Sequence, residues 1–325
     1  MSLARSLFVT LGAASSLVLA TPSSAQDNYP NHPVKVIVAL PAGGSVDMVA
    51  RLLSQQLATD LGQPFVVDNK AGASGQIGTP VVAKAAPDGY TLMVSPASFL
   101  TTNKSIFKTL PYNPETDFAP VTKLVNQAMV LVVRDKTRFA TVGEVLAAAK
   151  ANPGKLSYAS SGDGSPQHLA GLMFESRTGA KLLHVPYKGG APAITDLIGG
   201  VVDMAFAPLP EALPHIKAGK LHPVGVLSEK RAVSAPDIPT LREGGVDNVV
   251  LSAWIGLLAP AKTPQPILDR LDKSAKTLLQ GDSKAKLLEV GMEPATSETK
   301  PLGQVIAEEI RIHAELVKAA GLVPQ

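Results

Sequence analysis

Three short segments carry the residue types that bind anions without charged side chains: Pro41-Ala42-Gly43-Gly44-Ser45-Val46-Asp47, Gly72-Ala73-Ser74-Gly75 and Ser160-Ser161-Gly162-Asp163-Gly164-Ser165. Each follows an apolar, β-branched run and precedes a helical pattern. Small residues let a ligand come close to the backbone. The first turn of a helix offers unpaired N–H groups and the positive end of a dipole. In open α/β sheets, ligands sit beyond the carboxyl ends of the strands. One such loop is also what ordinary helix capping uses. Three in one chain point toward a carboxylate or phosphate.

Other chemistries find little support. Gly72, Gly75 and Gly78 do not form G-x-G-x-x-G, and no G-x-x-x-x-G-K-[ST] is present, so nucleotide motifs fail. Gly164-Ser165-Pro166 lacks the second glycine of a nucleophile elbow, and Ser165 with His168 fits the start of a helix better than a hydrolytic pair. The six histidines (32, 168, 184, 215, 222, 313) show no metal spacing such as H-x-x-x-H. His313, among the charges of the last helix, is expected to be half exposed. Asp60, Asp68 and Asp88 sit where caps and turns need them. The chain has no cysteine, which removes disulfides, thiolate metal sites, cysteine nucleophiles and a lipid-modified thiol. No cofactor is expected.

The loops need strands and helices behind them, and the pattern supplies these in alternation, the mark of βαβ units and mostly parallel sheets. Residues 34–40 form an apolar strand. Val49, Leu52, Leu53, Leu57 and Leu61 then recur at helical spacing until Gly62 stops them. Strands are predicted at 65–67, 90–94, 129–133, 156–159, 182–185, 201–206 and 222–227. Helices are predicted at 76–85, 141–150 (Thr141 and Glu144 forming a capping box), 165–178 and 192–199. Three more helices follow at 263–278, 283–290 and 302–320, after an apolar strand around Trp254.

At the N-terminus, Arg5 is followed by an uncharged apolar run over residues 7–20 and the small residues Thr21-Pro22-Ser23-Ser24-Ala25. That is the order of a cleavable secretory signal, and the run is short of the roughly 20 residues of a membrane span. Cleavage after Ala25 is expected to leave about 300 residues outside the cytoplasm, more than one core usually holds. Losing Arg5 takes the formal net charge from +3 to +2. No Lys/Arg run exceeds the pair Lys230-Arg231 and Trp254 is the only tryptophan, so a nucleic-acid partner is excluded. A monomer is expected. The strand near Trp254 returns the chain to its first half, which makes 26–126 with 254–325 one lobe and 127–253 the other.

Beyond these local features, the chain resembles a known family. Tyr29-Pro30-Asn31-His32-Pro33-Val34, Leu40-Pro41-Ala42-Gly43-Gly44-Ser45-Val46-Asp47, and Val66-Val67-Asp68-Asn69-Lys70-Ala71-Gly72-Ala73-Ser74-Gly75 carry the resemblance, as do Pro87-Asp88-Gly89-Tyr90, Asp117-Phe118-Ala119-Pro120-Val121 and Val185-Pro186-Tyr187-Lys188-Gly189. These stretches, in order over essentially the whole mature chain, resemble the Bug family, the extracytoplasmic receptors of tripartite tricarboxylate transporters. The resemblance implies a type II periplasmic-binding-protein fold: α/β, two doubly wound lobes joined by two crossing strands, closing on a ligand. It implies a binding protein and not an enzyme, with large and small integral membrane subunits as partners; a sensor subunit serving a receptor kinase is the alternative. It also implies a small carboxylate held by backbone amides and water. The donors carried over are Ala42, Gly43, Gly44, Ser45, Gly72, Ala73, Ser74 and Gly75 from one lobe, and Ser160, Gly164 and Ser165 from the other. Asp47, Ser95, Ala97, His168, Lys188 and Asp203 are expected around them, although Asp203 also suits a turn and Lys188 a solvated loop. Leu40, where the family often has Phe, and Ser95-Pro96-Ala97-Ser98, in place of a Gly/Ser-rich turn, are departures that bear on the shape of the pocket.

Overall fold

The computed structural model describes residues 28–295, 301–319 and 324; the expected signal segment lies outside them. The first half-sheet is built from β1 (Val34–Val38), β2 (Phe65–Asn69) and β3 (Thr91–Pro96), in the order β2-β1-β3 with parallel pairing. Helix α1 (Ser45–Leu61) follows β1, and Gly62 ends it in a left-handed conformation, as its position after Leu61 suggests. The expected helix at 76–85 is shorter: a 3-10 turn, Ala73–Gly75, precedes α2 (Thr79–Ala83). Two short helices follow β3, α3 (Ala97–Leu100) and α4 (Asn103–Ile106).

The long strand β4 (Phe118–Val133) is the backbone of the molecule. Its first part pairs in the first half-sheet with β9 (Ser252–Pro260), and its last residues, Met129 to Val133, pair instead with β7 (Met204–Pro208) and β8 (His222–Val226). The apolar pattern at 129–133 marks only this buried second part. The first part is interrupted by Pro120, Lys123, Asn126 and Gln127, which hides its continuity. In the second half-sheet, β5 (Ser157–Ser160) lies between β7 and β6 (Leu183–Pro186), all parallel. Helices α5 (Val142–Ala151), α6 (Pro166–Thr178), α7 (Gly190–Gly199) and α8 (Leu209–Lys217) accompany these strands. Half of the expected capping box is present: Thr141 Oγ1 accepts from the Glu144 amide at 3.3 Å, but the Glu144 carboxylate accepts from the Ala140 amide at 2.6 Å, one residue before the cap.

Strand β9 brings the chain back beside β3, antiparallel, and α9 (Gln265–Leu278) packs with α1 on the first half-sheet. Helix α10 (Gly281–Glu289) and β10 (Met292–Pro294), which pairs with β4, follow. The last helix, α11 (Leu302–Ala319), serves both halves. Its Leu302, Ile306 and Ile310 bury among Ile37, Met93 and Trp254, while Leu316 and Val317 bury among Met129 and Phe174 of the other half. The end of this helix, although it falls within 254–325, packs against the core of the other half. His313 is not half exposed: only 7% of it is accessible, and its ring meets the Thr102 hydroxyl at 3.0 Å. The result is a pair of doubly wound α/β lobes joined by two crossing strands, with separate cores on either side of the crossing. Among the described residues, no helix is long and apolar enough to cross a membrane.

Candidate ligand-binding site

The cleft between the lobes collects the carboxyl ends of the strands. Ser45 and Val46 at the start of α1, Ser74, Pro96 and Ser98 after β3, and Phe99 form one wall of an inner compartment of about 540 Å³. Loop 161–167, Gly189, Gly190 and Glu211 form the other wall, and Gln127 of β4 and Ala253 of β9 lie at the crossing. An outer compartment of about 710 Å³ shares Ser45, Gly190 and Glu211 with it and adds Gly43, Gly44 and Met48. Both compartments lie between the lobes. The inner one takes contributions from all three small-residue loops.

Helices α1 and α7 open on this cleft in the same way. Each has glycine as its N-cap, Gly44 and Gly189, and neither cap receives a side-chain hydrogen bond. The amides of a first helical turn have no partner within the helix, so both helices present donors there. The predicted start of α7 at Pro192 was two residues late; with the helix beginning at Gly190, Gly189 becomes a cap and Lys188 stays outside. Helix α6 differs: Ser165 Oγ accepts from the His168 amide at 3.2 Å, a true side-chain cap.

Several expected ligand contacts are struts instead. Asp47 is 4% exposed, and its carboxylate accepts from Gly43 N at 2.9 Å, Arg51 Nε at 2.9 Å and Asn69 Nδ2 at 3.0 Å. Burial alone would raise its pKa, but these donors outweigh burial and hold it below the usual carboxylate range. Asp47 therefore shapes the 40–44 loop and occupies the Gly43 amide. Ser160 is fully buried, with Oγ 2.6 Å from His184 Nε2, and Ser95 Oγ turns to the Pro96 carbonyl. Ala97 is buried beside the cleft-lining Pro96 and Ser98. Ala42, Gly72, Ala73 and Gly75 flank the cleft lining; in the second loop Ser74 alone reaches it. Ala73 and Ser74 adopt positive φ angles of 47° and 52°, a strained turn tied down where Asn103 Nδ2 donates to the Ser74 carbonyl at 2.9 Å.

Two expected contacts lie elsewhere. Lys188 is exposed and outside both compartments. Asp203 stands before β7, at the amino end of the strands and thus across the sheet from the cleft. There it accepts from the Ser157 amide and hydroxyl, both at 2.7 Å, and pairs with Arg138. Its turn reading is the one the structure follows.

His168 supports the loop from behind. Its Nδ1 accepts from Gly164 N at 3.0 Å, and its ring stacks on His184 with centroids 3.9 Å apart and planes 8° from parallel. Burial, and then the neighbouring His184, push its pKa down to about 4, with Asp163 opposing, so the pair is neutral at ordinary pH. Burial lowers His184 as well. Asp163, His168 and His184 offer ligand atoms within 4.8 Å of one another. His168 Nδ1 and His184 Nε2, however, are already engaged with Gly164 N and Ser160 Oγ. The trio braces the loop, and Ser165 is committed to capping α6 rather than to a base.

Sequence reasoning missed two polar groups in the cleft. Gln127 is 4% exposed and, among the described residues, its Nε2 has no hydrogen-bond partner. A polar interruption just before the apolar 129–133 run was the available signal. Glu211, in the first turn of α8, looks in sequence like an ordinary acidic residue at a helix start, and gave none.

Two hinged α/β lobes with amide-lined loops facing each other define a solute-binding protein of the periplasmic-binding-protein class. Residues 49–322 match the tripartite tricarboxylate transporter family receptor, and the chain belongs to that family of periplasmic receptors rather than to any class of enzyme. Among its relatives, protein BugT of Bordetella pertussis is 37% identical over 305 residues, 93% of each chain. The solved structure of R. palustris Rpa4515 with adipate superposes with a TM-score of 0.83 at 33% identity, covering 91% of this chain and all of that one. MatC from Rhodopseudomonas palustris with bound malate gives 0.78 at 32% identity, covering 89% of this chain and all of that one.

Proposed function

We propose that this chain is an exported receptor that captures a small carboxylate between its lobes and delivers it to the large and small membrane subunits of a tripartite transporter. The observation that carries the reading is the buried, unpartnered amide of Gln127 in a cleft onto which the uncapped starts of α1 and α7 open. A buried donor without a partner is costly, and a carboxylate oxygen satisfies it. The ligand is held by the amides of Gly44 and Ser45, by Ser74 and Gln127 and by the hydroxyl of Ser165, with Gly164 leaving room for it and water bridging where reach is short. The adipate and malate bound by the two structural relatives are of this chemical class. The segment 1–25 exports the chain, which then acts in the periplasm as a monomer.

A thermal-shift screen of mono- and dicarboxylates on ligand-stripped protein tests this. Binding to the native state alone stabilises by about 2.7 kcal/mol at a ligand concentration 100 times Kd. A broad acid library that leaves the melting temperature unchanged, while sugars or neutral amides raise it, would sink the carboxylate reading.

A further inference from the structure

Strand β10 and the loop after β8 meet at a seam between the two lobes. β10 is fixed to the first lobe: it pairs with β4, the Ala295 amide donates to the Leu124 carbonyl, and Met292 is buried in the core that holds Leu257. The loop at 228–239 is fixed to the second. Its Ala232, Ala235 and Ile238 are buried with Val130 and Val226, and the Val226 amide donates to the Pro239 carbonyl. Glu293 of β10 spans the gap. Its Oε1 accepts from the Val233 amide at 2.5 Å and from the Ser234 amide at 3.5 Å.

Two further contacts run along the same seam. Lys217 Nζ, on α8, donates to the Glu289 carbonyl at 3.3 Å, and a Cβ on Gly291 would come within 3.2 Å of the Pro210 nitrogen. Trp254 and Leu258 of β9 turn to one core of the first lobe, and Ile255 and Leu257 to the other. Met129 and Val130 of β4 divide the second lobe in the same way. Helix α11 joins the cores of Trp254 and Phe174. The seam joins the other two, so the lobes are tied on both faces of the sheets.

The Glu293 bonds are made in a structure whose lobes stand close together, with Gly164 so near Ile106 across the cleft that a Cβ would overlap it. Rolling the lobes apart draws the 233–234 amides away from a carboxylate carried on a strand of the other lobe. We propose that Glu293 is a positioning residue for capture: its clasp on these amides favours the closed posture and so strengthens binding. It does so without touching ligand, since Glu293 lines neither compartment. Apparent affinity falls in proportion to the population of the binding-competent state. For a charge-assisted bond that is half open to water, loss of the clasp is expected to weaken binding roughly three- to thirtyfold.

The chain has no cysteine, so Ala71→Cys and Lys188→Cys, at exposed positions of opposite lobes outside both compartments, each take one spin label. Double electron–electron resonance then reads the distance between the lobes with no ligand needed. Glu293→Ala is expected to move population to longer distances. Glu293→Gln keeps an acceptor for both amides and should restore most of the wild-type distribution. Glu293→Thr, suited to a strand, replaces alanine if that variant melts early by circular dichroism. Calorimetry with malate and adipate on unlabelled protein gives the second arm, which rests on the carboxylate reading above: weaker binding in Glu293→Ala, recovered in Glu293→Gln. Distances unchanged by loss of the carboxylate, or shifted as far by glutamine as by alanine, overturn the clasp. Distances that move while an acid bound by wild type keeps its affinity overturn the role in capture. If neither acid binds wild type, the carboxylate reading falls, and the distances still decide whether Glu293 holds the lobes.

Discussion

Gly44 and Lys70 separate two ways of holding an anion. A Cβ on Gly44 would meet nothing within 4 Å, and its φ of −84° suits any residue, so Gly44→Val should fold normally while filling the space a carboxylate needs. Lys70 is paired with Asp68 at 3.2 Å, away from both compartments. Gly44→Val is therefore expected to abolish binding measurable by calorimetry, and Lys70→Met to change it little; the reverse result would mean an ion-pair clamp. Gln127→Leu removes the unpaired donor without opening a void, and should weaken binding by about one decade while leaving stability unchanged or higher. The loops around 43, 74 and 164 were legible in the sequence because glycine and serine clusters between periodic segments are a local signal. Asp47 and Ser160 were read as ligand contacts because composition does not reveal where a side chain points. Gln127 and Glu211 reach the cleft only through the pairing of β4 and the packing of α8, which are not local.

At the scale of elements, the last helix joins two cores, and its buried face can be tested against its exposed one. Leu316 is 8% exposed within the second core, whereas Ile312 is 44% exposed. Leu316→Ala is expected to cost about 2–4 kcal/mol in urea unfolding and Ile312→Ala about 0.5 kcal/mol or less. His313 gives this helix a pH signature. Burial holds its pKa down to about 4, against about 6.5 in the unfolded chain. The unfolded state thus takes up the proton first, so the stability His313 contributes is present above pH 6.5 and is lost as pH falls toward 4. The loss between pH 7 and pH 5 is about 2 kcal/mol. In denaturant titrations His313→Gln should flatten that fall relative to wild type; an unchanged slope would rule out His313 as its source. The periodicity of α11 was plain from Ile306, Ile310, Ala314 and Val317, yet one stripe of apolar residues does not say that its two ends face different lobes.

For the whole molecule, the cleft brings Gly164 of one lobe close against Ile106 of the other. A Cβ on Gly164 would overlap the Ile106 side chain, and the glycine also holds a φ of 70°. Gly164→Ala should prop the lobes apart. Weaker binding and a larger radius of gyration by X-ray scattering in the presence of ligand are expected, together with a modest loss of stability from the left-handed backbone. Scattering identical to wild type, with unchanged affinity, would show that this contact does not limit closure. The two-lobed class of the fold was legible from alternating strands and helices and from chain length. The 16-residue span of β4 was not, because half of that strand is polar enough to look like a loop.

Helix α11 changes the mechanics of the joint it crosses. Two strands alone form a pliant joint, free to bend and to twist. A stiff rod seated in one body by Leu302, Ile306 and Ile310, and in the other by Leu316 and Val317, acts as a third link and takes away most of the twist. The motion left is a short roll of one body about the rod, with its largest travel at the rim farthest from the helix. Closure about such a rod is expected to cost a ligand less than gathering two loosely tethered halves would.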